Sequence, residues 1–299
     1  MALIAFVALA SKAEAKIDAG DLKQSTTATV DFAAAPNAGT GGTALCPAGT
    51  KVFSGGAFWY ETGSPDPAPT ITSGLTLTGS SPNFQGSGWY ADGRNASGDG
   101  FTLRVIARCL PEQKLDSVVT KVKTLNVPNG EVVDKELECF RGTRVISGGA
   151  YWHDVGSSTS PQPAEAGDGS ISSSTPLSAR SWYVSAFNGP SAIPAAREDT
   201  ISARCLVSRK LTKYKKVTSL SGLSAGGSSL ATNKCKGAGR AGPAGIHVSR
   251  PGKNPRATEA DRSYLLAIGV VENTRSFVGG MRVTAGSFLD VERRAYCLQ

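Results

Sequence analysis

Apolar and polar residues alternate most clearly in the stretch that ends at Cys109. Leu103, Val105 and Ala107 share one side of an extended chain with this cysteine, and Arg or Ile residues alternate with them on the other side. A period of two is typical of a half-buried strand. The stretch that ends at Cys205 repeats the pattern, so both stretches are predicted to form the closing strand of a β unit.

A fourteen-residue motif occurs twice, from Cys46 to Trp59 and from Cys139 to Trp152. Gly, Thr, a basic residue, Val, Ser-Gly-Gly-Ala and Trp recur at the same offsets from the cysteine. The Gly-Gly pair permits a bulge or a close backbone approach inside a strand. A third version begins at Cys235 but has lost most of the motif, so the chain contains three repeats of which the last is divergent.

These patterns predict an all-β protein of three tandem disulfide-stapled antiparallel units, arranged as a sandwich or β-prism, with little helix. Before Cys46 only residues 26–32 have the composition of a strand, and similar stretches precede Cys139 and Cys235. Each disulfide is expected to join the first and last strands of its unit. The predicted divisions are a signal peptide at 1–15, an N-terminal extension at 16–21, and repeats at 22–114, 115–210 and 211–299.

The N-terminus has the pattern of a secretory leader. Residues 2–10 form an apolar run of nine, and Ala-Glu-Ala ends at Ala15 as a cleavage signal would. A short N-terminal helix is the alternative. Nine residues fall well below the about 20 that a membrane-spanning helix needs, and no other run is comparable, so no membrane span is expected in the mature chain.

Six cysteines in an exported chain favour disulfides. The spacings of 63, 66 and 62 residues agree across the repeats and select three equivalent pairs. Loops of this length should stabilise each unit by about 4 kcal/mol. A metal site is weakly supported, because Cys-x-x-Cys is absent and the chain has two histidines. The predicted disulfides are Cys46–Cys109, Cys139–Cys205 and Cys235–Cys297.

The net charge of +8 is unevenly distributed. From Leu206 onward there are 16 basic and 5 acidic residues, whereas the preceding residues hold 16 and 19. This asymmetry indicates an anionic polymer or an acidic protein face as partner. Lysines that protect a solvated edge strand are an equally good explanation. The candidate binding residues are Lys210, Lys213, Lys215, Lys216, Lys234, Lys236 and Arg240.

The third repeat also places an arginine at a core position. Arg293 should point inward beside Val291, Ala295 and Cys297 on the last strand. Either this arginine is paired or its face is open to a partner.

The four tryptophans are candidates for a platform that stacks on sugar rings or bases, and core or inter-repeat packing is the alternative. Recurrence at equivalent repeat positions favours packing, and Phe277 takes the place of the second tryptophan in the third repeat. The residues concerned are Trp59, Trp89, Trp152 and Trp182.

No residue pattern indicates a reaction. The histidines, His153 and His247, are interpreted as ordinary surface or core residues, and no Gly-x-Ser-x-Gly motif is present. No pair of carboxylates is singled out by spacing. The sequence therefore predicts no catalytic residue, metal or cofactor, and nucleic acid is a poor candidate partner for an exported chain without a recognition motif.

The motif from Cys46 to Ala57, followed by Trp89 and Ala-Arg-Cys109, resembles small β modules of secreted bacterial proteins, including those that follow collagen-like stretches. The resemblance covers most of residues 40–205 and implies a non-catalytic extracellular or cell-surface domain. The plan of three disulfide-linked β repeats is also similar to the β-prism of the egg vitelline-membrane outer-layer protein.

Together these observations favour an exported, non-enzymatic structural or adhesive protein of a cell surface or extracellular assembly. Its expected partners are other copies, another surface protein or an anionic envelope polymer. A carbohydrate-binding module of lectin type is the alternative, followed by a hydrolase with a site between repeats.

Overall fold

The structure is a computed structural model that describes residues 16–65, 67–154, 169–189, 197–211, 214–224, 226–249, 263–270, 276–283 and 288–299. It is nearly all β, as the sequence predicts. The one short α-helix, α1, spans Ala19–Lys23, and 3-10 turns lie at Glu112–Lys114 and Ser208–Lys210 within the described residues.

Each repeat contributes six strands to the part of the chain that the structure describes. Repeat 1 contains β1 (Thr26–Ala34), β2 (Ala38–Leu45), β3 (Thr50–Glu61), β4 (Leu75–Pro82), β5 (Gly88–Asn95) and β6 (Phe101–Pro111). Repeat 2 contains β7 (Val119–Val127), β8 (Val132–Glu138), β9 (Thr143–Asp154), β10 (Ser170–Ser178), β11 (Ser181–Phe187) and β12 (Arg197–Val207). Repeat 3 contains β13 (Lys215–Leu223), β14 (Ser228–Lys234), β15 (Arg240–Ser249), β16 (Ser263–Val270), β17 (Ser276–Val283) and β18 (Leu289–Leu298).

The strands form three six-stranded antiparallel sheets, and each sheet combines halves of two repeats. Sheet A has the order β1-β6-β3-β16-β17-β14, sheet B has β13-β18-β15-β10-β11-β8, and sheet C has β2-β5-β4-β9-β12-β7. In every sheet the third strand of one repeat pairs with the fourth strand of another. The repeats are therefore joined in a closed cyclic order, with repeat 1 pairing with both of the others.

The inter-repeat junctions are short and lined by glycine. Gly56, Gly149 and Gly245 stand ten residues after the first cysteine of their repeats. A Cβ added at any of them would collide with a backbone carbonyl oxygen on the adjoining strand of another repeat. Glycine at this offset is thus required by backbone approach, and it is kept even in the divergent third repeat.

Within a repeat, the indole rings occupy space that glycines leave open. A Cβ at Gly55 would lie 2.5 Å from Cδ2 of Trp89, and a Cβ at Gly148 would lie 2.5 Å from Cδ2 of Trp182. In repeat 3 the matching residues are Ala244 and the smaller Phe277, which belong to one apolar cluster. In repeat 3 the larger residue at the glycine position is therefore accompanied by a smaller aromatic ring.

The structure confirms the three predicted disulfides, whose Cα–Cα distances are 5.7, 5.6 and 5.8 Å. The strands that they join differ from expectation. Cys46 follows the second strand, β2, and is linked to the last strand, β6. The disulfide therefore fastens the β2–β3 connection to the closing strand, which β1 and β3 already flank by hydrogen bonding.

A second strand also precedes each first cysteine, which the composition of residues 38–45 did not indicate. The strand β2 reads Ala-Gly-Thr-Gly-Gly-Thr-Ala-Leu and has weak intrinsic β preference. Tertiary packing overrides that preference, because the ring of Phe32 lies where a side chain at Gly42 would be.

Three long side chains connect the repeats close to the disulfides. The guanidinium of Arg108 donates to the carbonyl of Ala241, and that of Arg204 donates to the carbonyl of Val52. Repeat 3 has Tyr296 at the equivalent position, where it stacks on Tyr214 with ring centroids 4.5 Å apart. The hydroxyl of Tyr214 then donates to the carbonyl of Val145 in repeat 2, which completes the cycle.

An apolar cluster covers the ends of the repeats where the chain passes from one to the next. It includes Leu110, Leu206 and Leu298, each of which directly follows the second cysteine of its repeat. Residues of the N-terminal segment complete it, since Ile17 and Leu22 are fully buried. The backbone N–H of Ile17 donates to the carbonyl of Lys210 at 2.6 Å.

Arg293 lies inside repeat 3 as predicted and is paired. It is fully buried, and its guanidinium donates to the carbonyl of Gly279 at 2.9 Å, to Ser221 Oγ at 2.9 Å and to Ser229 Oγ. Three acceptors from two sheets satisfy the charge by hydrogen bonding, so this position is internal rather than open to a partner.

The Gly–Trp packing predicts a non-additive pair of substitutions. Gly55→Ala should lower the free energy of unfolding by about 1–3 kcal/mol through overpacking against the Trp89 ring and the carbonyl of Ile106, of which only the ring contact can be relieved by a second substitution. Trp89→Phe alone should also destabilise, because it removes the bond from Nε1 to Ser80 Oγ at 3.0 Å and leaves a cavity. The double variant should lose less than the two single losses together, since it reproduces the Ala–Phe combination of repeat 3.

Chemical denaturation with intact disulfides would measure this cycle. Gly98→Ala is the matched control, because a Cβ there meets no described atom within 4 Å. If the double variant loses as much free energy of unfolding as the two single variants together, the smaller ring at position 89 does not compensate for the larger residue at position 55.

Candidate functional site

The basic residues of repeat 3 meet at the outer edge of sheet B. Lys215 and Lys216 are exposed on β13, the outermost strand, and Lys236 follows Cys235. The three lysines line a depression of about 230 Å³ beside the Cys235–Cys297 disulfide. Its other lining residues are Val217, Thr218, Cys297 and Gln299. We refer to this depression as the lysine groove.

The groove has a positive electrostatic character. Burial lowers the pKa of Lys216, and the nearby guanidinium of Arg294 lowers it further, whereas Glu292 acts in the opposite direction. Nζ of Lys216 is 3.8 Å from Glu292 Oε1, so one carboxylate offsets part of the local charge. The side chains of Lys215 and Lys236 add two further cations, and an anion would therefore be favoured here.

The remaining predicted basic residues do not join this groove. Lys210 is only 3% exposed and pairs with Asp116 Oδ1 at 2.5 Å, which links the two ends of repeat 2, so its assignment to a binding surface was wrong. Lys234 lies on β14, at an edge of sheet A. Arg240 is half-buried and donates to the carbonyls of Ala238 and Gly239 at 3.1 and 3.4 Å. Lys213 lies outside the described residues.

The other repeats carry different side chains at the same place. In repeat 1, Thr26 and Pro47 correspond to Lys215 and Lys236, and in repeat 2 the corresponding residues are Val119 and Phe140. Lys121 of repeat 2 lies over the Phe140 ring, 4.1 Å from its centroid. The scaffold is thus equivalent in each repeat while the chemistry beside the disulfide differs.

The predicted aromatic platform is contradicted by the structure. Trp59 and Trp152 are fully buried, and Trp89 and Trp182 are 4% and 1% exposed. Trp59 Nε1 donates to the carbonyl of Thr76 at 2.9 Å, and Trp182 Nε1 donates to Ser174 Oγ at 3.0 Å. The indoles fill the cores of the repeats, so none of them presents a face on which a sugar or base could stack.

A polar chain within repeat 2 was not identified from the sequence. His153 Nε2 is 2.7 Å from Thr200 Oγ1, and Thr200 Oγ1 is 2.9 Å from Thr124 Oγ1. The other ring nitrogen of His153, Nδ1, is 3.5 Å from Glu198 Oε2. A carboxylate, an imidazole and a hydroxyl in this order resemble a nucleophile-activating relay. However, His153 and Thr200 are 1% and 2% exposed, which makes the arrangement an internal network.

His247 is also a core residue, which is one of the two ordinary placements that the sequence left open. It is 1% exposed, and its ring centroid is 5.2 Å from that of Tyr183 in an edge-to-face arrangement. Within the part of the chain that the structure describes, no group of three or more His, Cys, Asp and Glu side chains is placed to hold a metal ion.

Asp199 is an unusual buried carboxyl group. It is fully buried opposite Trp152, at a position where repeats 1 and 3 have Leu103 and Val291. Among the described residues, neither oxygen of its carboxyl group finds a hydrogen-bond partner. Burial raises the pKa of Asp199 to about 8, because the surrounding core disfavours the charged form.

Comparison of this chain with protein-family models and with curated proteins found no match. None of the helices in the described ranges has the length and apolar character that crossing a bilayer requires.

The buried carboxyl group of Asp199 should make stability depend on pH. In the unfolded chain an aspartate ionises near pH 4, whereas in the fold it keeps its proton up to about pH 8. The contribution of Asp199 to stability should therefore be lost progressively as pH rises from about 4 to about 8. Asp199→Asn should remove this loss, which is on the order of a few kcal/mol, in denaturation measured at both ends of this range.

Asp31→Asn is a control for which the pH dependence of stability should have the opposite sign. The Arg104 guanidinium, bonded to both carboxylate oxygens at 2.8 Å, lowers the pKa of Asp31. That variant should be less stable than the wild type at neutral pH, with the difference vanishing in acid. An unchanged pH profile for Asp199→Asn would show that the carboxyl group does not titrate as the fold implies.

Proposed function

We propose that this chain is an exported, non-enzymatic structural or adhesive protein that holds an anionic partner at the lysine groove. The observation that carries the proposal is that Lys215, Lys216 and Lys236 line one depression at the β13 edge, beside Cys297. A cyclic, stapled β scaffold with differing surfaces on equivalent repeats suits a binding role, because loops and edges vary while the core is retained. Three disulfides are compatible with an extracellular setting.

An anionic polymer is favoured over a small anion as the partner. The groove follows an edge strand rather than entering the core, and its cations are carried on flexible side chains at the surface. Such a surface gives several weak, salt-sensitive contacts that gain strength from repetition along a chain. The resemblance of repeats 1 and 2 to modules of secreted bacterial proteins supports an envelope polymer as the natural source.

The two alternatives lack a comparable observation. A lectin of the predicted kind would use its tryptophans, which are buried. A hydrolase would need an accessible nucleophile, and the hydroxyl of Thr200 in the internal network is enclosed and already bonded to Thr124.

Neutralising the groove should weaken binding to an anionic polymer. Replacing Lys215, Lys216 and Lys236 together by Gln removes three charges, each of which contributes about 0.2–1 kcal/mol at a surface. The affinity for poly-glutamate or dextran sulfate should fall about tenfold or more at low ionic strength. Isothermal titration calorimetry over a series of salt concentrations would measure both the affinity and its salt dependence.

The matched control replaces Lys121, Lys123 and Lys135 of repeat 2 by Gln, which changes the net charge equally. This control should bind nearly as well as the wild type. Equal losses in both variants would point to non-specific attraction by net charge and would reject the lysine groove as a site.

A further inference from the structure

Sheet B has chemically opposite edges. Its outermost strands are β13 of repeat 3 and β8 of repeat 2. β13 carries Lys215 and Lys216 and no acidic residue, whereas β8 carries three acidic residues and one lysine. A second depression, of about 250 Å³, follows the β8 edge and is lined by Asp134, Lys135, Glu136 and Tyr183. A lysine-lined depression and an acid-lined depression therefore lie on the two edges of the same sheet.

The other two sheets do not share this arrangement. In sheet A the edge strands β1 and β14 carry one charged residue each, Asp31 and Lys234. In sheet C the edge strand β2 has no charged residue, and β7 has Lys121 and Lys123. Among the described strands, only the edges of sheet B carry a net charge of two each with opposite signs, +2 on β13 and −2 on β8, whereas the opposite charges on the edges of sheet A are single.

We propose that copies of this chain associate head to tail, with the β13 edge of one copy pairing with the β8 edge of the next. Strand addition at a sheet edge is a common mode of protein association. This inference rests on the structural role proposed above and adds a second copy as a partner, which would compete with an anionic polymer for Lys215 and Lys216.

Strand direction is compatible with such a contact. All five neighbouring pairs in sheet B are antiparallel, so its two edge strands run in opposite directions. A copy translated across the sheet therefore presents β13 antiparallel to β8 and keeps the same face of the sheet on the same side. Because neighbouring strands of a sheet twist by roughly 20–25°, each added copy must also rotate about the axis that runs across the strands, so the hydrogen-bonded ladder continues as a helical array.

One register also pairs the side chains. Lys216, Thr218 and Leu220 share the face of β13 that is opposite to the disulfide. Val132, Asp134 and Glu136 share the corresponding face of β8, since Leu137 points into the core. Placing Lys216 opposite Glu136 also places Leu220 opposite Val132, two apolar residues that are 67% and 38% exposed in a single copy. Cross-strand pairs of opposite charge and of apolar residues both stabilise a sheet.

The lysines also determine which edges can meet. Two β13 edges would bring four lysines together, which disfavours a symmetric contact through that edge. A contact between different edges is heterologous, so each copy retains one basic and one acidic edge for further addition. Such a contact builds open filaments unless its geometry closes into a ring.

Charge reversal at either edge tests this proposal. The basic-edge variant carries Lys215→Glu and Lys216→Glu, and the acidic-edge variant carries Asp134→Lys and Glu136→Lys. Each variant turns attractions into repulsions and should weaken self-association at least about tenfold in sedimentation velocity at low ionic strength. An equimolar mixture of the two variants should associate again, because every contact between unlike chains regains opposite charges.

Lys16→Glu with Lys23→Glu is the matched control, since both lysines are exposed, lie outside the two edge strands of sheet B and change the net charge by the same amount as the basic-edge variant. This control should associate as the wild type does, and circular dichroism with thiol titration would establish that every variant is folded and oxidised. Wild-type protein that stays monomeric at low salt, or variants whose mixture does not associate, would overturn the proposal.

The self-association experiment and the polymer experiment can fail separately. The acidic-edge variant keeps all three lysines of the groove, so it should still bind an anionic polymer. Loss of polymer binding by the Gln variant of the groove, together with unaltered self-association of both edge variants, would reject the inference and leave the proposed function intact. Self-association that follows the edge charges in a protein indifferent to polymers would support head-to-tail pairing and reject the lysine groove as a polymer site.

Discussion

The fold depends on close backbone approach where the repeats join. The third strand of each repeat meets a strand of another repeat across Gly56, Gly149 or Gly245, and a Cβ at any of these positions would collide with a carbonyl oxygen. Repeat 3 has lost most of the motif that surrounds this glycine and has kept the glycine itself. Since the missing side chain is what lets each sheet continue from one repeat into another, closure of the cycle depends on these three positions.

The closed cyclic order of the repeats limits the positions at which a binding surface can lie. The strands beside the junctions are buried on both faces, as the nearly continuous burial of β3 and β6 shows. Residues there respond to packing, and the replacements between repeats are paired in size, as with Ala244 and Phe277. The first and second strands of each repeat lie at sheet edges and are more exposed. Differences between repeats at these edges therefore alter the surface without disturbing the core.

Much of the fold was predictable because the residues that the fold requires recur at equivalent positions of the repeats. Equal cysteine spacing selected the disulfides, and the period of two located the closing strands. The prediction that these strands are half-buried was wrong, because the outward residues, such as Arg108 and Arg204, are buried where the repeats meet. The Gly-rich strand β2 was missed because its stability comes from the ring of Phe32 rather than from its own composition. The closed cyclic order was also beyond the sequence, since strand pairing between repeats involves only one to three residue pairs at each junction.

The candidate site was harder to predict for a related reason. A cluster of basic residues in the sequence does not reveal which of them share a surface. Lys215, Lys216 and Lys236 line one depression because β13 pairs with β18 at Cys297, to which Cys235 is linked, whereas Lys210 is drawn into an ion pair with Asp116 of its own repeat. Likewise, the burial of Trp59 and Asp199 depends on which residues face them across the repeat.

Inequality among the repeats also determines the kind of assembly that the proposed contact can form. Three identical repeats would present the same pair of edges on each sheet, and a contact through those edges would branch in three directions. Here the acidic strand β8 and the basic strand β13 are the two edges of sheet B alone. A single complementary pair leaves one direction of growth, so the divergence of repeat 3 would convert a branching scaffold into a linear one.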